Sequence, residues 1–126
     1  MSRFLYRVPM FTPKGAFTGY EFLEVGERTI HHFGVHGDPE QCLNIKVGDK
    51  WLFENDIVQT STGRSIIAYC NKCKSFQCID FKFGCFNCLG DYSWQEFLEE
   101  IETRECEILG STTSNPELVK DIEEND

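Results

Sequence analysis

The chain has 126 residues, enough for one ordinary domain or two very small β modules, and its 40% hydrophobic content excludes disorder throughout. Its net charge of −9 disfavours non-specific nucleic-acid binding, because an acidic protein repels a phosphate backbone. Aromatic residues make up 13% of the chain, and eleven residues are Phe, which favours strands over a helical bundle.

The protein is expected to remain in the compartment where it is made. No apolar run approaches the roughly 20 residues that a membrane-spanning helix needs. Charges at Arg3 and Arg7 interrupt the first residues before a signal-peptide core can form. The sequence therefore predicts a cytoplasmic protein without a membrane segment.

The first part of the chain has the pattern of a β hairpin. A strand is predicted from Arg3 to Val8, ended by Pro9, and a second strand from Phe17 to Val25 follows the Pro13-Lys14-Gly15 turn. A further strand is predicted from Thr29 to Val35. These elements predict a small N-terminal β module.

Three histidines lie close together in this region, at His31, His32 and His36. Neighbouring residues of a strand point to opposite faces, so His31 and His32 are not expected to bind the same ion. We interpret the three as ordinary structural or solvated histidines.

The central region is the most strongly β part of the chain. Short strands bounded by turn residues at hairpin intervals favour a small barrel, which buries Trp51 and Phe53 and covers exposed strand edges. The predicted strands are Cys42–Val47, Trp51–Phe53, Asp56–Thr60, Arg64–Tyr69 and Phe76–Phe83.

Seven cysteines are an odd number in a chain with no secretion signal, which argues against a disulfide framework and leaves reduced thiols or metal ligands. Four of them form two C-x-x-C pairs on adjacent predicted hairpins. Two such turns brought together supply the four thiolates of a tetrahedral zinc site. The predicted ligands of a structural zinc ion are Cys70, Cys73, Cys85 and Cys88.

Two other interpretations of these cysteines remain open, namely free core or surface thiols and a redox pair. Cys78 lies between the pairs, so the spacing alone does not decide whether it replaces one of the four ligands. Cys42 and Cys106 lie in strand-like segments and are predicted to be core residues.

One helix is predicted after the second cysteine pair. Ser93 and Glu96 form a capping box, and an apolar stripe at helical spacing follows from Trp94 to Ile101. The glutamates around this stripe are interpreted as a solvated face rather than as catalytic carboxylates. A last strand is predicted from Cys106 to Leu109 and a short terminal helix from Asn115 to Ile122.

Three segments resemble the YopX-like family of phage and prophage proteins. The opening Phe4-Leu5-Tyr6-Arg7-Val8 is similar to the family's first strand, and Glu54-Asn55-Asp56-Ile57-Val58 is similar to its E-G-D-I-V segment, with Asn55 in place of Gly. Ile108-Leu109-Gly110 followed by Asn115-Pro116-Glu117-Leu118-Val119 is similar to its closing V-I-G-N-I-Y-x-N-P-E-L-L. The paired cysteines lie outside the resemblance.

The resemblance implies an N-terminal β module and a C-terminal SH3-like barrel in a protein that acts in the cytoplasm of a bacterial host. Combined with the strand pattern, it predicts a β module over residues 1–40, a barrel module with the cysteine-rich hairpins over 41–122, and an acidic tail over 123–126.

The sequence contains no motif that indicates an enzyme. A nucleotide-binding glycine loop, a nucleophile elbow and an H-E-x-x-H helix are all absent from it, and a zinc ion with four thiolates is coordinatively closed. We therefore expect an accessory protein that binds a host or phage protein, with homo-oligomers allowed by exposed strand edges.

Two alternative functions remain. The first is a zinc-ribbon-like nucleic-acid adaptor that gathers basic residues on one face, at Arg64, Lys72, Lys74 and Lys82. The second is an acidic inhibitor of a host defence nuclease, which would compete with nucleic acid rather than bind it.

Overall fold

The computed structural model describes residues 4–24 and 35–119. Within these ranges the chain is mainly β, with a small N-terminal β module and a barrel-like second part, as predicted. Most of the strand predicted from Thr29 to Val35, with His31 and His32, lies outside the described residues, as does the tail 123–126.

The first sheet is antiparallel and has the strand order β2-β1-β4-β5, with β3 paired to the end of β1. Its strands are β1 (Phe4–Phe11), β2 (Phe17–Glu24), β3 (Val35–His36), β4 (Glu40–Val47) and β5 (Lys50–Phe53). The β1–β2 turn needs Gly15, whose φ of 92° lies in the left-handed region. The predicted hairpin is therefore present.

The prediction that Pro9 ends the first strand is wrong, because β1 continues to Phe11. On one side of β1, Tyr6 and Arg7 pair with β4, whereas Met10 and Phe11 pair with β3. Pro9 lies in the gap between these two pairings, so its missing N–H interrupts no ladder bond there. Its carbonyl oxygen accepts a hydrogen bond of 2.9 Å from the Gly37 N–H.

The second sheet is also antiparallel, with the strand order β10-β6-β7-β8-β9. Its strands are β6 (Asp56–Thr60), β7 (Gly63–Cys70), β8 (Ser75–Asp80), β9 (Gly84–Cys85) and β10 (Glu107–Ser111). Successive strands from β6 to β9 are joined by tight turns. The first cysteine pair lies at the β7–β8 turn, and the second pair begins in β9 at the edge of the same sheet.

The strand predicted from Phe76 to Phe83 is shorter in the structure and ends at Asp80. The Asp80 carboxylate accepts hydrogen bonds from the backbone N–H groups of Lys82 and Phe83, at 2.7 and 2.8 Å. An aspartate that bonds the backbone two and three residues ahead favours a turn over a continuing strand. This turn reverses the chain into β9.

Two helices follow β9. They are α1 (Phe86–Leu89) and α2 (Trp94–Thr103), and residues 116–119 are also helical. The predicted capping box is confirmed, because Ser93 Oγ accepts from the Glu96 N–H at 3.2 Å and the Glu96 side chain accepts from the Ser93 N–H at 3.4 Å. The helix packs by the predicted face, with Phe97 fully buried.

The main hydrophobic core lies where the β4–β5 hairpin and both helices meet the second sheet. Its buried members are Val47, Leu52, Val58, Ile67, Cys78, Phe86, Tyr92 and Phe97. All of them fall inside the predicted module 41–122, although β4 also pairs with β1 across the proposed boundary. The division of the chain into two modules stays a prediction. No helix in the described residues is long and apolar enough to cross a membrane.

Candidate metal centre

The first cysteine pair encloses the tight turn between β7 and β8. Cys70 ends β7, and the Lys74 N–H donates a 2.8 Å hydrogen bond to its carbonyl oxygen. Lys74 has a φ of 58°, the left-handed conformation that reverses the chain into β8. Cys73 precedes Lys74, so both sulfur atoms of the pair lie at the same end of the sheet.

The second pair begins in β9 and continues into α1, whereas the sequence predicted that it lies on a hairpin next to that of the first pair. Cys85 has extended backbone angles, and the helical turn after it ends at Gly90, whose φ is 79°. Phe86 is buried in the core and its ring contacts Tyr92, with 6.3 Å between ring centroids. Because Phe86 points into the core, its neighbours Cys85 and Cys88 face the first pair.

The structure brings together the four cysteines that the spacing predicted as ligands. The Sγ atoms of Cys70, Cys73, Cys85 and Cys88 all lie within 4.8 Å of one another, and we call this group the sulfur cluster. The Cys88 sulfur lies 3.6 Å from those of Cys70 and Cys73, and the Cys73 and Cys85 sulfurs are 3.9 Å apart. All four are free thiols, and the cluster could hold a metal ion.

Polar groups near the sulfur cluster stabilise thiolates. The backbone N–H groups of Cys73 and Lys72 hydrogen bond the Cys70 sulfur, and together with the Cys88 thiol they lower the pKa of Cys70 to about 6. Burial raises the pKa of Cys85, and the Cys88 N–H opposes this rise. The Asn87 side-chain amide donates to Cys73 Sγ at 3.2 Å. The cluster thus has the outer hydrogen bonds that usually accompany metal-binding thiolates.

The other three cysteines lie apart from this group. Cys78 is 3% exposed in the core, opposite Ile67 on β7, and burial raises the pKa of its thiol to about 12. It therefore replaces none of the four cysteines in the cluster. Cys42 is buried and Cys106 is partly buried against the core, which agrees with their prediction as core residues.

A shallow cavity of about 390 Å³ lies beside the sulfur cluster. Its lining includes Cys88, Lys72, Phe83 and Leu89, and the last two are among the most exposed large hydrophobic side chains of the described chain, at 69% and 48%. The predicted basic residues Lys72, Lys74 and Lys82 are all exposed at the turns around the cluster, while Arg64 is only partly exposed on β7. Lys72 and the exposed Phe83 and Leu89 side chains of this cavity form a small basic, apolar surface on an acidic protein.

A second polar centre, which the sequence did not predict, lies between the two sheets. Arg7 on β1 donates through Nε to Glu40 at 2.7 Å and through an Nη to Asp56 at 2.7 Å. All three side chains are at least nine-tenths buried, and we call them the ionic cluster. The Arg7 guanidinium also lies over the Tyr20 and Phe53 rings, 4.3 and 4.7 Å from their centroids.

The ionic cluster also binds the backbone of the β5–β6 turn. Asp56 accepts a 2.8 Å hydrogen bond from the Phe53 N–H, and Asn55 Nδ2 donates to Glu40 at 3.1 Å. The sequence contained one signal of the ionic cluster, because Arg7 is a charged residue between Tyr6 and Val8 in an apolar strand. Its partners are 33 and 49 positions away in the chain, so the pattern alone did not identify them.

Among the described residues, no histidine belongs to a candidate metal site. His36 is exposed, and its Nδ1 lies 3.0 Å from the Gly37 carbonyl oxygen. His31 and His32 lie outside the described residues. The interpretation of the three as ordinary histidines stays a prediction.

Comparisons with known proteins give no relative from which to transfer a function. No protein-family model, curated protein or solved structure matches the chain. The resemblance to the YopX-like family therefore stays a prediction that rests on the quoted residues.

Proposed function

We propose that the protein is a non-enzymatic accessory protein of a phage or prophage that binds a macromolecular partner in the host cytoplasm. We further propose that a structural zinc ion, bound by the sulfur cluster, holds the β7–β8 turn against β9 and α1. The spacing of the four sulfur atoms carries the zinc proposal, and the residues of the quoted segments support the family.

The sulfur–sulfur distances match those expected around zinc. Four sulfur atoms about 2.3 Å from a zinc ion at the centre of a tetrahedron are about 3.8 Å from one another. Three of the six distances in the cluster are 3.6, 3.6 and 3.9 Å, and none exceeds 4.8 Å. Thiolate ligands in a tetrahedral arrangement favour zinc over magnesium or calcium, which prefer oxygen.

A zinc ion in this cluster would be structural rather than catalytic. Catalytic zinc keeps a position open for water or substrate, whereas four thiolates fill the tetrahedron. The cluster joins the β7–β8 turn to α1, so metal binding would connect two short elements of the chain. A structural metal contributes directly to folding free energy in such small elements.

The three segments that resemble the YopX-like family meet around the ionic cluster. Arg7 from the first segment binds Asp56 from the second, and the Thr112 N–H, beside the third, donates to the Asn55 carbonyl oxygen at 3.0 Å. Asn55 stands where the family has Gly, and its φ of 71° is a conformation that Gly and Asn adopt more readily than other residues. A Cβ at Gly110 would overlap the Asn115 side chain. The residues that resemble the family therefore contact one another across the three segments, and these contacts support a fold shared with the family.

The zinc proposal is tested by native mass spectrometry of the full chain purified without added metal, together with elemental analysis. We expect one zinc ion per chain and loss of that mass with a strong chelator. Cys88→Ser is expected to lose the metal, and Cys106→Ser, which changes a cysteine outside the cluster, should keep it. A chain that folds without metal, or a Cys88→Ser variant with full zinc content, would refute the structural zinc.

The net charge of −9 favours a basic protein as the partner. One such partner is a host nuclease, whose basic nucleic-acid site an acidic protein can occupy. This form of the proposal predicts that the protein competes with nucleic acid for the nuclease and that added salt weakens the competition. Competition that is insensitive to salt would contradict it.

A nucleic-acid adaptor is the second candidate function, and the basic, apolar surface beside the sulfur cluster favours it. Exposed lysines and aromatic rings such as Phe83 are the groups that bind single-stranded nucleic acid. Fluorescence anisotropy with labelled oligonucleotides at low and high salt tests it. The double variant Lys72→Glu and Lys74→Glu should abolish binding, whereas Lys14→Glu, in the exposed β1–β2 turn, should weaken it slightly. Absence of binding at low salt would exclude this function.

A further inference from the structure

Cys88 differs from the other members of the sulfur cluster in its exposure. Its residue is exposed, whereas Cys70, Cys73 and Cys85 are partly buried. Cys70, Cys85 and Cys88 all line the cavity beside the cluster, and Cys88 is the exposed member of the three, so a small reactant reaches its sulfur most directly from solvent. The exposure makes Cys88 the accessible member of the group.

Cys88 also differs from Cys73 in its hydrogen bonds. The Asn87 side-chain amide donates to Cys73 Sγ at 3.2 Å. In the described part of the chain, the hydrogen bonds of Cys88 Sγ run to the neighbouring sulfur atoms. An N–H donor draws charge from a thiolate and makes it less nucleophilic. With a metal bound, all four cysteines are thiolates, so exposure and such donors decide their order of reaction.

Two sulfur atoms lie close enough to Cys88 to react with it afterwards. Cys70 Sγ and Cys73 Sγ are each 3.6 Å from Cys88 Sγ. An oxidised Cys88 would therefore have a resolving thiolate beside it without a large movement of the chain.

From these observations we propose that Cys88 is the site at which hydroperoxides oxidise the metal centre, and that a disulfide from Cys88 to Cys70 or Cys73 then releases the metal. The proposal rests on the metal-bound state put forward above and adds a modification site to it. The metal would thus be a removable part of the fold.

The reaction proceeds in two steps. In the first, the Cys88 thiolate attacks one oxygen of hydrogen peroxide, the O–O bond breaks, and a sulfenic acid forms while hydroxide leaves and is protonated by a buffer acid to give water. In the second, the Cys70 or Cys73 thiolate attacks the Cys88 sulfur, the S–O bond breaks, and a second hydroxide leaves and is protonated. Two thiolates, one peroxide and two protons give one disulfide and two waters. Two electrons pass from sulfur to oxygen.

The disulfide removes two of the four thiolate ligands from the metal. Zinc bound by the two remaining cysteines is held far less tightly, because a structural site needs all four protein ligands. A thiol reductant restores the thiolates, and added zinc then restores the site. The modification is therefore reversible.

The first experiment treats the full, metal-loaded chain with hydrogen peroxide, after its metal content has been measured. Zinc release is followed with a chromogenic chelator, and the cysteines are mapped by mass spectrometry after blocking of free thiols. We expect a disulfide-linked peptide that contains Cys88 to appear together with released zinc. In a parallel sample, limiting N-ethylmaleimide should label Cys88 before any other member of the cluster.

A pair of matched variants tests the role of Cys88 separately. Histidine can replace cysteine as a zinc ligand without a reactive thiolate, so Cys88→His is expected to retain the metal and to release it to peroxide at least about tenfold more slowly. Cys85→His, a variant of a partly buried ligand, should release zinc at nearly the rate of the unchanged chain. If either variant fails to bind metal, the order in which N-ethylmaleimide labels the cysteines of the unchanged chain decides whether Cys88 is the entry site.

The outcomes separate this inference from the proposed function. A chain purified without metal refutes both the structural zinc and the modification site that rests on it. A metal-loaded chain whose first labelled or oxidised cysteine is Cys70, Cys73 or Cys85 keeps the structural zinc and refutes Cys88 as the entry site. Slower release in Cys85→His than in Cys88→His would refute it as well.

Discussion

The two polar centres of this protein differ in how far apart their members lie in the chain. The sulfur cluster gathers residues at most 18 positions apart, whereas Arg7 and Asp56 of the ionic cluster are 49 positions apart. The sulfur cluster joins the β7–β8 turn to β9 and α1, whereas the ionic cluster connects strands of both sheets. A centre built from one stretch of sequence can be recognised by spacing, but a centre built from distant strands requires the fold.

The two centres also stabilise the chain by different means. A metal ion contributes binding free energy to the turns that supply its ligands. A buried ion pair contributes little net stability, because desolvation of the charges offsets their attraction, but the loss of one partner leaves a buried charge uncompensated. Damage to the sulfur cluster should therefore have local effects, and damage to the ionic cluster should affect both sheets.

The largest effect is expected from removal of a metal ligand. Cys70→Ser takes one thiolate from the proposed zinc ion, and apparent zinc binding in small zinc-dependent folds is worth on the order of 10 kcal/mol. Amide hydrogen exchange should show loss of protection in β8, β9 and α1, with β1 and β2 still protected. Cys106→Ser is the matched control and should retain both metal and protection. Uniform loss of protection in both sheets would contradict a local role for the cluster.

Arg7→Met should produce the second largest effect. It leaves the Glu40 and Asp56 carboxylates buried without a cation, which typically costs roughly 3–5 kcal/mol of unfolding free energy. Urea denaturation measures this cost, and the zinc content should remain near that of the unchanged chain. Lys14→Met, which removes an exposed cation, is expected to change stability by less than about 0.5 kcal/mol.

The cause of the Arg7 effect can be separated from lost packing. A triple variant with Arg7→Met, Glu40→Gln and Asp56→Asn contains no buried charge at this centre. It should therefore be more stable than Arg7→Met alone, even though it carries more substitutions. An equal or lower stability would show that packing, rather than uncompensated charge, accounts for the loss.

The ionic cluster should also respond to pH. Burial raises the pKa of Asp56 from 3.8 to about 6, the Glu40 carboxylate adds to the rise, and the Arg7 guanidinium opposes it. Because the folded-state pKa is raised, the stabilisation linked to Asp56 is fully present below about pH 4 and is lost as the pH rises through about 6. The loss is about 3 kcal/mol at most.

Comparison with Asp56→Asn isolates this dependence from that of the other acidic residues. The unfolding free energy of the unchanged chain minus that of the variant should decrease between pH 4 and pH 7, as measured by urea denaturation. A difference that increases with pH would mean that Arg7 outweighs burial and holds the Asp56 pKa below its ordinary value.

The smallest effect is expected from the hydrogen bond outside the sulfur cluster. Asn87→Ala removes the amide that donates to Cys73 Sγ. Loss of such an outer partner typically weakens metal binding by roughly tenfold to a hundredfold. Competition with a chelator of known affinity measures the change, and Asn71→Ala, in the exposed β7–β8 turn, serves as a control. An unchanged affinity would show that the backbone N–H groups are sufficient.

Local sequence patterns predicted the elements that depend on neighbours in the chain. The Ser93 and Glu96 capping box predicted the start of α2, and the two C-x-x-C pairs predicted the cysteines that come together. Both patterns act over a few residues. The mainly β character and the barrel-like second part were also predicted, because strand propensity and hairpin spacing are local.

The patterns failed where the decisive partner is distant or is a side chain that bonds the backbone. Pro9 was predicted to end a strand, but the gap between β3 and β4 removes the cost of its missing N–H. Asp80 ends β8 through its carboxylate. The ionic cluster could not be predicted, because the sequence gives no indication that Arg7 and Asp56 are adjacent.

The bond between Tyr20 and Ser111 has a consequence for the order in which the protein folds during synthesis. The two hydroxyl oxygens are 2.6 Å apart and belong to residues 91 positions apart, and Thr113 similarly reaches back to Glu40. The β1–β2 hairpin can form early on the ribosome, but these contacts must wait until residues 111–113 have emerged. Contacts of such long sequence separation form slowly. The first sheet is therefore synthesised almost 60 residues before the side chains that contact it. Until β10 emerges, the β6 edge of the second sheet is also open to pairing with other chains.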